Sequence, residues 1–295
     1  MDWLTAIRKS IDFIENNLKE NISLSDAAAA AHISPYLFGK GFRIVTGYSV
    51  SEYIRNRRLY LAARALQDTE ESVLAIALNL GYETPESFSK AFTRFHGNTP
   101  SAVRAGADFS VFQPLTIQVT IQGGKQMEYK ITKFFGMKLI GFPKEFSVET
   151  SQEEIPKFWD EICEKYAANV YAGNPPANSQ EKALMDNCIG EYAVCIDTPG
   201  SDTFRYMIAG KYTGGDVPEG MELFQFPMGD WAIFDCVGPM PDAIQDLSNR
   251  IFSQWLPGNG EYELSGTATI EWYDCTTDKD DPNYRSAIWL PVKKK

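Results

Sequence analysis

Apolar residues recur at helical spacing from the start of the chain. Leu4, Ile7, Ile11, Ile14 and Leu18 follow one another at intervals of three or four positions, which places them on one face of an amphipathic helix. The stretch lacks the basic start, apolar block and small-residue cleavage site of a signal peptide, and no apolar run approaches the ~20 residues of a membrane span. We therefore expect a cytoplasmic protein without a membrane partner.

The pattern of the first third of the chain occurs twice. Residues 24–51 align with residues 74–101, and each copy has a short Ala-rich or Ile/Ala-rich helical stretch, a tight turn, and a Ser-Pro or Thr-Pro pair that opens a second helix. A hydroxyl side chain caps a helix and proline suits its first position. Gly47 and Gly97 end the two copies as C-terminal caps. Two helices joined by a tight turn predict a helix-turn-helix.

A further helical pattern connects the two copies. Residues 51–67 carry apolar positions at helical spacing without a break. We expect the arginines of this helix to point toward DNA phosphates: Arg55, Arg57, Arg58 and Arg64. The first third is therefore predicted to be an all-α domain with two helix-turn-helix units.

From residue 127 onwards, apolar and polar positions alternate as in strands, and two amphipathic helical stretches interrupt them. Each predicted helix, at 152–169 and 240–255, has two predicted strands before it and two after it. The strands are predicted at 127–134, 138–145, 190–197, 204–212, 222–227, 231–237, 266–275 and 285–292. This order predicts a duplicated unit of one helix on antiparallel strands, and hence a multidomain chain with an α+β second domain.

The segment that joins the two domains, residues 109–126, is predicted to be a linker. Its stretch "LTIQVTIQ", residues 115–122, alternates like a short strand, and the pair Gly123-Gly124 ends it.

Charge is distributed unevenly along the chain. The net charge of −11 argues against a nucleic-acid partner, but residues 1–104 hold 12 Lys/Arg and 11 Asp/Glu, whereas residues 105–295 hold 16 and 28. Six basic residues and one acid lie between positions 40 and 64. A locally basic surface on a neutral helical domain is therefore compatible with DNA, although the remainder of the chain is acidic.

Cysteine and histidine are too few and too scattered for a metal or nucleophile site. Five cysteines lie in the second half without a Cys-x-x-Cys pair, and the two histidines lie in the first third. Reduced thiols are the expectation. We expect no catalytic residue, no metal and no cofactor.

Two long stretches, "SPYLFGKGFRIVTGYSVSEYIRNRRLYLAARAL" and "VLAIALNLGYETPESFSKAFTRFHGNTPSAVR", resemble the AraC-type DNA-binding domain. The resemblance covers about residues 5–104, and we place this domain at residues 1–108. It implies double-stranded DNA as partner and leaves RNA polymerase open as another. It also implies base-reading positions at Tyr36, Gly39, Lys40, Glu86, Ser87 and Lys90, and phosphate contacts from Arg43 and Arg94.

The chain departs from that family at the first recognition helix. Lys40 and Lys90 stand where arginine is usual, and lysine lacks the planar fork of donors that suits guanine. Gly39 offers no side chain to a base, and Gly39 and Gly41 each cost about 1 kcal/mol in a helix interior.

The second domain, residues 127–295, resembles the GyrI-like effector-binding domain. The resemblance rests on "EIPKFWDEI", "FRYMIAGKY", "FPMGDWAIFDCVGP", "IFSQWLP", "ATIEWYD" and "AIWLPVKK". It implies a small hydrophobic, cationic effector bound in a cleft beside a glutamate on a late strand, which falls on Glu271.

Alternation along this strand supports the same position. Thr269, Glu271 and Tyr273 share one face, and their neighbours on the strand share the other. A carboxylate is costly to bury alone, so a ligand cation would recover part of the cost, and aromatic walls would add attraction through their ring faces. The candidate walls are Tyr273, Trp159 and Trp231; for the two tryptophans, packing in a hydrophobic core is the alternative.

Three hypotheses follow from these patterns. The leading one is a ligand-responsive transcription regulator that is not an enzyme. The second is a GyrI-like hydrolase of small molecules, in which Glu271 and Tyr273 would act as base and acid. The third is a protein-docking module that uses its acidic surface.

Overall fold

The computed structural model describes residues 3–117 and 127–295, which form two compact units. Among the described residues, one unit contains Trp3, Ser34–Gly41 and residues 127–295, and the other contains Leu4–Ile33 and residues 42–117. No helix in the described parts is both long enough and apolar enough to cross a membrane.

Seven helices follow in order through the described residues 3–117. The pattern predicts the first six of them, and the short seventh helix is not predicted. The helices are α1 (Trp3–Asn16), α2 (Leu24–Ala31), α3 (Pro35–Thr46), α4 (Val50–Asp68), α5 (Val73–Asn79), α6 (Pro85–His96) and α7 (Pro100–Arg104). The pairs α2/α3 and α5/α6 are the two copies of the repeat. The predicted all-α domain with a double helix-turn-helix is therefore confirmed.

The repeat positions that shape the helices act as predicted. The Thr84 hydroxyl accepts the Ser87 amide hydrogen at 3.1 Å, and the Ser34 hydroxyl accepts that of Leu37 at 3.3 Å. Gly97 adopts φ 78° at the end of α6, a left-handed conformation that glycine adopts without steric cost.

The arginines of α4 contradict the expectation that they all face phosphates. Arg57 is buried and donates to both carboxylate oxygens of Glu15, at 2.8 and 2.7 Å. Arg58 donates to the carbonyl oxygens of Leu18 and Glu20. Arg64 pairs with Asp68 on its own helix. Three of the four arginines therefore satisfy groups of their own unit, and Arg55 remains exposed.

In the described residues of the second part of the chain, nine strands form one sheet. Their order in the sheet differs from their order along the chain. The strands are β1 (Lys130–Phe134), β2 (Lys138–Ser147), β3 (Tyr192–Asp197), β4 (Thr203–Lys211), β5 (Glu222–Gln225), β6 (Gly229–Val237), β7 (Tyr262–Leu264), β8 (Ala268–Tyr273) and β9 (Arg285–Lys294). The order is β1-β6-β9-β8-β3-β4-β2-β5, with β7 paired to β9, and all pairs are antiparallel. The predicted α+β class is confirmed.

The helices of this part are α8 (Ser151–Ile162), α9 (Ala168–Tyr171), α10 (Ser179–Asn187), α11 (Asp242–Arg250) and α12 (Leu256–Gly258). Helices α8 and α11 each continue into a π-helical turn, Cys163–Ala167 and Ile251–Trp255. The two predicted helices at 152–169 and 240–255 correspond to these continuous pairs. The helix-plus-strands theme therefore occurs twice, as predicted.

Helices α8 and α11, each with its π-helical turn, lie on the same face of the sheet. The Phe158 ring of α8 packs against Phe146 with ring centroids 5.8 Å apart, and Trp255 packs against Phe234 at 4.8 Å. The opposite face carries a core cluster that includes Val194, Met207, Trp231 and Ile270. Strand β8 lies in the middle of the sheet. Alternate side chains of this strand therefore point to the face on which the helices pack.

In the second part of the chain, α10 and β7 escape the sequence pattern. Helix α10 lies between the predicted helix at 152–169 and the predicted strand at 190–197, where the pattern predicts no element, and its N-cap Asn178 accepts the Glu181 amide hydrogen at 2.8 Å. The short strand β7 is not predicted. The strand-like stretch 115–122 lies largely outside the described residues, because only its first three positions are described and they have no regular structure.

Candidate functional site

Helix α6 presents its predicted DNA-contacting residues to solvent. Glu86, Ser87, Lys90 and Arg94 are all exposed, and three of them lie four positions apart and so share one face of the helix. The other face is anchored by the buried rings of Phe88 and Phe92, and these belong to the core cluster formed with α4, α5 and α7. A firmly packed helix thus carries two cations on its open face.

Helix α3 is different, although it is the equivalent helix of the first copy. Tyr36 is only 8% exposed, Gly39 is buried, and the Lys40 side chain is 23% exposed. Arg43 is partly exposed and lies 3.8 Å from a carboxylate oxygen of Glu52. The structure therefore does not present Tyr36 and Lys40 to solvent as it presents the residues of α6.

Glu271 lies on β8, on the face of the sheet that carries the helices. Its strand neighbour Ile270 belongs to the core cluster of the opposite face, so Glu271 points the other way. It pairs with Ala193 of β3 and Ile288 of β9. The Glu271 side chain remains 20% exposed, so a central carboxylate can be reached from outside.

Aromatic side chains surround this carboxylate. The Tyr273 hydroxyl donates to Glu271 Oε2 at 2.6 Å. The ring of Trp159 lies edge-on to that of Tyr273, with centroids 5.8 Å apart, and the Trp159 indole nitrogen donates to the Tyr206 hydroxyl at 2.8 Å. Hydrogen bonds thus fix the orientation of both predicted walls, Trp159 and Tyr273.

Burial changes the acid–base behaviour of these walls. It raises the pKa of Tyr273 well above its ordinary value, and the negative charge of Glu271 raises it further. The pKa of Tyr206 rises for the same two reasons. Burial also raises the pKa of the Cys195 thiol to about 12. These groups are therefore neutral near pH 7, and Glu271 is the acidic group of the cluster.

Trp231 lies elsewhere. It is fully buried in the core cluster of the opposite face, with its ring centroid 4.3 Å from that of Phe226. The structure brings Trp159 and Tyr273 together with Glu271 but does not bring Trp231 there, because Trp231 and Glu271 point to opposite sides of the sheet.

Sequence reasoning missed Tyr206 and Cys195, which belong to the same face as Glu271. Cys195 pairs with both Tyr206 of β4 and Thr269 of β8. Alternation within "FRYMIAGKY" puts Phe204 and Tyr206 on one face of a strand, but only the sheet register shows which face that is.

The carboxylate site already contacts a cation of this chain. Lys40 Nζ lies 3.5 Å from Glu271 Oε1 and 5.8 Å from the centroid of the Tyr36 ring. A part-exposed carboxylate with aromatic neighbours is chemically suited to hold a positive group.

The fold and this site define an effector-binding protein with a helix-turn-helix domain. Residues 130–292 match the family described as integron-associated effector binding protein, and residues 27–106 match a helix-turn-helix domain. The first match covers more than half of the chain, so the chain belongs to that effector-binding family. Its N-terminal domain is of the AraC type, which confirms both resemblances.

Two curated relatives are similar to this chain over part of their length. The right origin-binding protein of Escherichia coli K12 is 30% identical over 60% of this chain and 60% of its own length. The HTH-type transcriptional regulator YbfP of Bacillus subtilis is 29% identical over 69% of this chain and 60% of its own length. The chain thus spans less than two thirds of these relatives.

One solved structure, SAV2435 bound to tetraphenylphosphonium, is 20% identical with a TM-score of 0.46. It covers 57% of this chain and 94% of its own chain.

Proposed function

We propose that this protein is a DNA-binding transcription regulator that responds to a small hydrophobic, cationic molecule. Residues 1–108 bind double-stranded DNA, and residues 127–295 bind the effector beside Glu271. Contact with RNA polymerase stays a prediction of the AraC-type resemblance.

The surface of α6 supports the DNA half of the proposal. Lys90 and Arg94 lie one turn apart on its exposed face, whereas Phe88 and Phe92 hold the helix on its core. A helix of this kind fits the major groove, where lysine reaches guanine and arginine reaches phosphates. Two curated relatives are named as an origin-binding protein and a transcriptional regulator, which agrees with this role.

A single observation carries the effector half: the part-exposed Glu271 carboxylate lies among neutral aromatic side chains and contacts an ammonium group. Tyr273 hydrogen-bonds one carboxylate oxygen, and Lys40 Nζ lies 3.5 Å from the other. Because Tyr273, Tyr206 and Cys195 are neutral near pH 7, Glu271 is the group that selects a ligand by charge.

The first arm of the test measures DNA binding. A duplex is selected from a random pool with the full chain, and its affinity is followed by fluorescence anisotropy at several salt concentrations. We expect Lys90→Met to weaken binding about tenfold and to relax the sequence preference at the base pair that the lysine contacts. Lys133→Met removes an exposed lysine of β1 and should change neither quantity. Failure of the pool to enrich any duplex would refute the DNA half.

The second arm measures effector binding by calorimetry with tetraphenylphosphonium, a hydrophobic cation. Tetraphenylborate, an anion of the same shape, serves as the ligand control. We expect Glu271→Gln to weaken binding of the cation at least tenfold, whereas Glu261→Gln, at an exposed position, should leave it unchanged. Equal binding of both ions, or an unaffected Glu271→Gln variant, would contradict the effector half.

A further inference from the structure

Residues 34–41 lie in the same compact unit as the sheet that carries Glu271. They include the Ser-Pro cap of α3 and the two residues, Tyr36 and Lys40, that the AraC-type resemblance assigns to base reading. The contacts of these eight residues within the unit show what holds them there.

The start of the segment is capped by a carboxylate of the sheet. Asp197, the last residue of β3, accepts the Tyr36 amide hydrogen at 3.0 Å and also hydrogen-bonds Ser34. The first amide hydrogens of a helix have no partner within the helix, and a negative charge at that end is stabilising. Asp197 is itself buried, so the cap belongs to a packed contact.

Two packing contacts continue the same surface. The Tyr36 ring lies on Phe204 of β4, with ring centroids 4.4 Å apart. At Gly41, an added Cβ would lie 2.4 Å from the Trp3 ring and 2.7 Å from that of Phe252. The glycine that weakens the helix on propensity alone is thus the residue that allows this close approach.

Lys40 completes the contact at the effector site. Its Nζ lies 3.5 Å from Glu271 Oε1, longer than the about 2.7–2.9 Å of a strong charge-assisted hydrogen bond. Both side chains remain about one fifth exposed. A long, partly solvated ion pair is one that a better-fitting cation can replace.

We infer that residues 34–41 act as a built-in competitor for the effector, with Lys40 occupying the cation position beside Glu271. A ligand cation that takes this position displaces Lys40, and the displaced segment then exposes Tyr36 and Lys40 for DNA. This inference rests on the proposed function and adds the mechanism of its regulation. It also sets the ligand class, because a neutral molecule leaves the Lys40–Glu271 pair intact.

The same contacts keep the first recognition helix from reading DNA. Tyr36 is buried against Phe204, and Lys40 is paired with a carboxylate, so neither side chain can reach a base edge in this arrangement. Lys90, the equivalent of Lys40 in the second copy, is exposed. The lysines of the two copies therefore differ in their accessibility to DNA, although the sequences of the copies match.

The first measurement is the affinity of the full-length chain for tetraphenylphosphonium. The apparent affinity is proportional to the fraction of molecules whose site is open, so it rises when the segment is released. We expect Lys40→Met and Tyr36→Ala each to tighten binding about tenfold, because each removes one anchor of the segment. Lys133→Met, at an exposed position of β1, is the control that removes a lysine elsewhere, and it should bind as the wild type does. Tyr36→Ala changes no charge, so it separates displacement of the segment from simple removal of a repelling ammonium group.

The second measurement is amide hydrogen exchange with and without saturating tetraphenylphosphonium. We expect exchange to rise in peptides covering residues 34–41, where the Tyr36 amide loses its bond to Asp197, and to fall around Glu271. Tetraphenylborate should leave both regions unchanged.

The outcomes separate the two proposals. Glu271-dependent binding together with unchanged exchange at residues 34–41, or with no tightening in Tyr36→Ala, overturns the competitor while leaving the effector site in place. Absence of Glu271-dependent binding in the wild type and in Lys40→Met removes the proposed effector function, and the competitor with it.

Discussion

At the scale of single residues, His96 shows how tertiary contacts set a protonation state. Its Nδ1 accepts the Ser110 amide hydrogen at 3.1 Å, and its Nε2 lies 3.0 Å from the Leu59 carbonyl oxygen. Because an amide donates to Nδ1, the ring proton lies on Nε2 and donates to Leu59, so the ring is neutral. Burial lowers the pKa of His96 below its ordinary value.

This histidine makes stability depend on pH. Since the folded pKa lies below the unfolded value of about 6.5, the unfolded state takes up a proton first. The contribution is complete above about pH 6.5 and is lost as the pH falls toward the folded pKa, by at most about 1.4 kcal/mol per pH unit. We expect His96→Gln to lose this part of the slope in urea unfolding between pH 7.5 and 5. His32→Asn, at an exposed position, should keep it, and an unchanged slope in His96→Gln would contradict the assignment.

Residue-scale prediction succeeded where a side chain's direction follows from its neighbours on one strand. Alternation along β8 placed Glu271 and Tyr273 on one face, and the structure shows them hydrogen-bonded to each other. It left the place of Trp231 open between the effector site and the core, because its face depends on how β6 enters the sheet beside β9. No local pattern carries that information.

At the scale of elements, α1 and α4 are joined by an ion pair in which Arg57 is buried and Glu15 is about one fifth exposed. Both Glu15 carboxylate oxygens accept hydrogen bonds from Arg57, and the Tyr53 hydroxyl also donates to Glu15 at 2.6 Å. Arg57 additionally donates to the Phe112 carbonyl oxygen. The arginine therefore holds two helices and a later segment of the same unit together.

Removing Arg57 takes away a buried side chain and leaves the largely buried Glu15 carboxylate with Tyr53 as donor but without its positive partner. We expect Arg57→Met to lower the free energy of unfolding by about 3 kcal/mol, measured by urea denaturation followed by circular dichroism. Arg64→Met removes an arginine of the same helix that pairs with Asp68 on the surface, and it should change the midpoint little. Equal effects of the two substitutions would mean that the Arg57–Glu15 contact stabilises the fold no more than a surface ion pair does.

Element boundaries were predictable where caps and periodicity agree. The Ser-Pro and Thr-Pro starts of α3 and α6 and the glycine end of α6 lie where the pattern places them. Helix α10 was missed because its stretch begins with residues typical of turns. Asn178 and Glu181 form an N-cap followed three residues later by glutamate, and that signal was available.

At the scale of the whole molecule, the same eight residues serve two proposed functions. Residues 34–41 form the start of a recognition helix, yet they belong to the compact unit that contains the effector site. If effector and DNA both favour release of this segment, binding of one must strengthen binding of the other by the same factor.

We expect saturating tetraphenylphosphonium to raise the affinity for the selected duplex, with a factor in the range of about 5 to 150 that is typical of allosteric coupling. Saturating duplex should raise the affinity for tetraphenylphosphonium equally. Anisotropy and calorimetry measure the two factors independently. In Glu271→Gln both coupling factors should fall to one. If tetraphenylphosphonium instead weakens DNA binding, the form in which residues 34–41 contact the sheet is the one that binds DNA.

The sequence by itself determined the helix-turn-helix repeat, the order of the longer helices and strands, and the carboxylate with its neighbouring tyrosine, because caps, periodicity and alternation act between residues close in the chain. Only the tertiary structure decided that Arg57 holds helices together, that Trp231 belongs to the core, and that Lys40 contacts Glu271. Each of these depends on residues distant in sequence, and the free energy of such contacts comes from burial and pairing that no local pattern encodes. The two copies of the repeat therefore match in sequence, while their lysines lie in different surroundings.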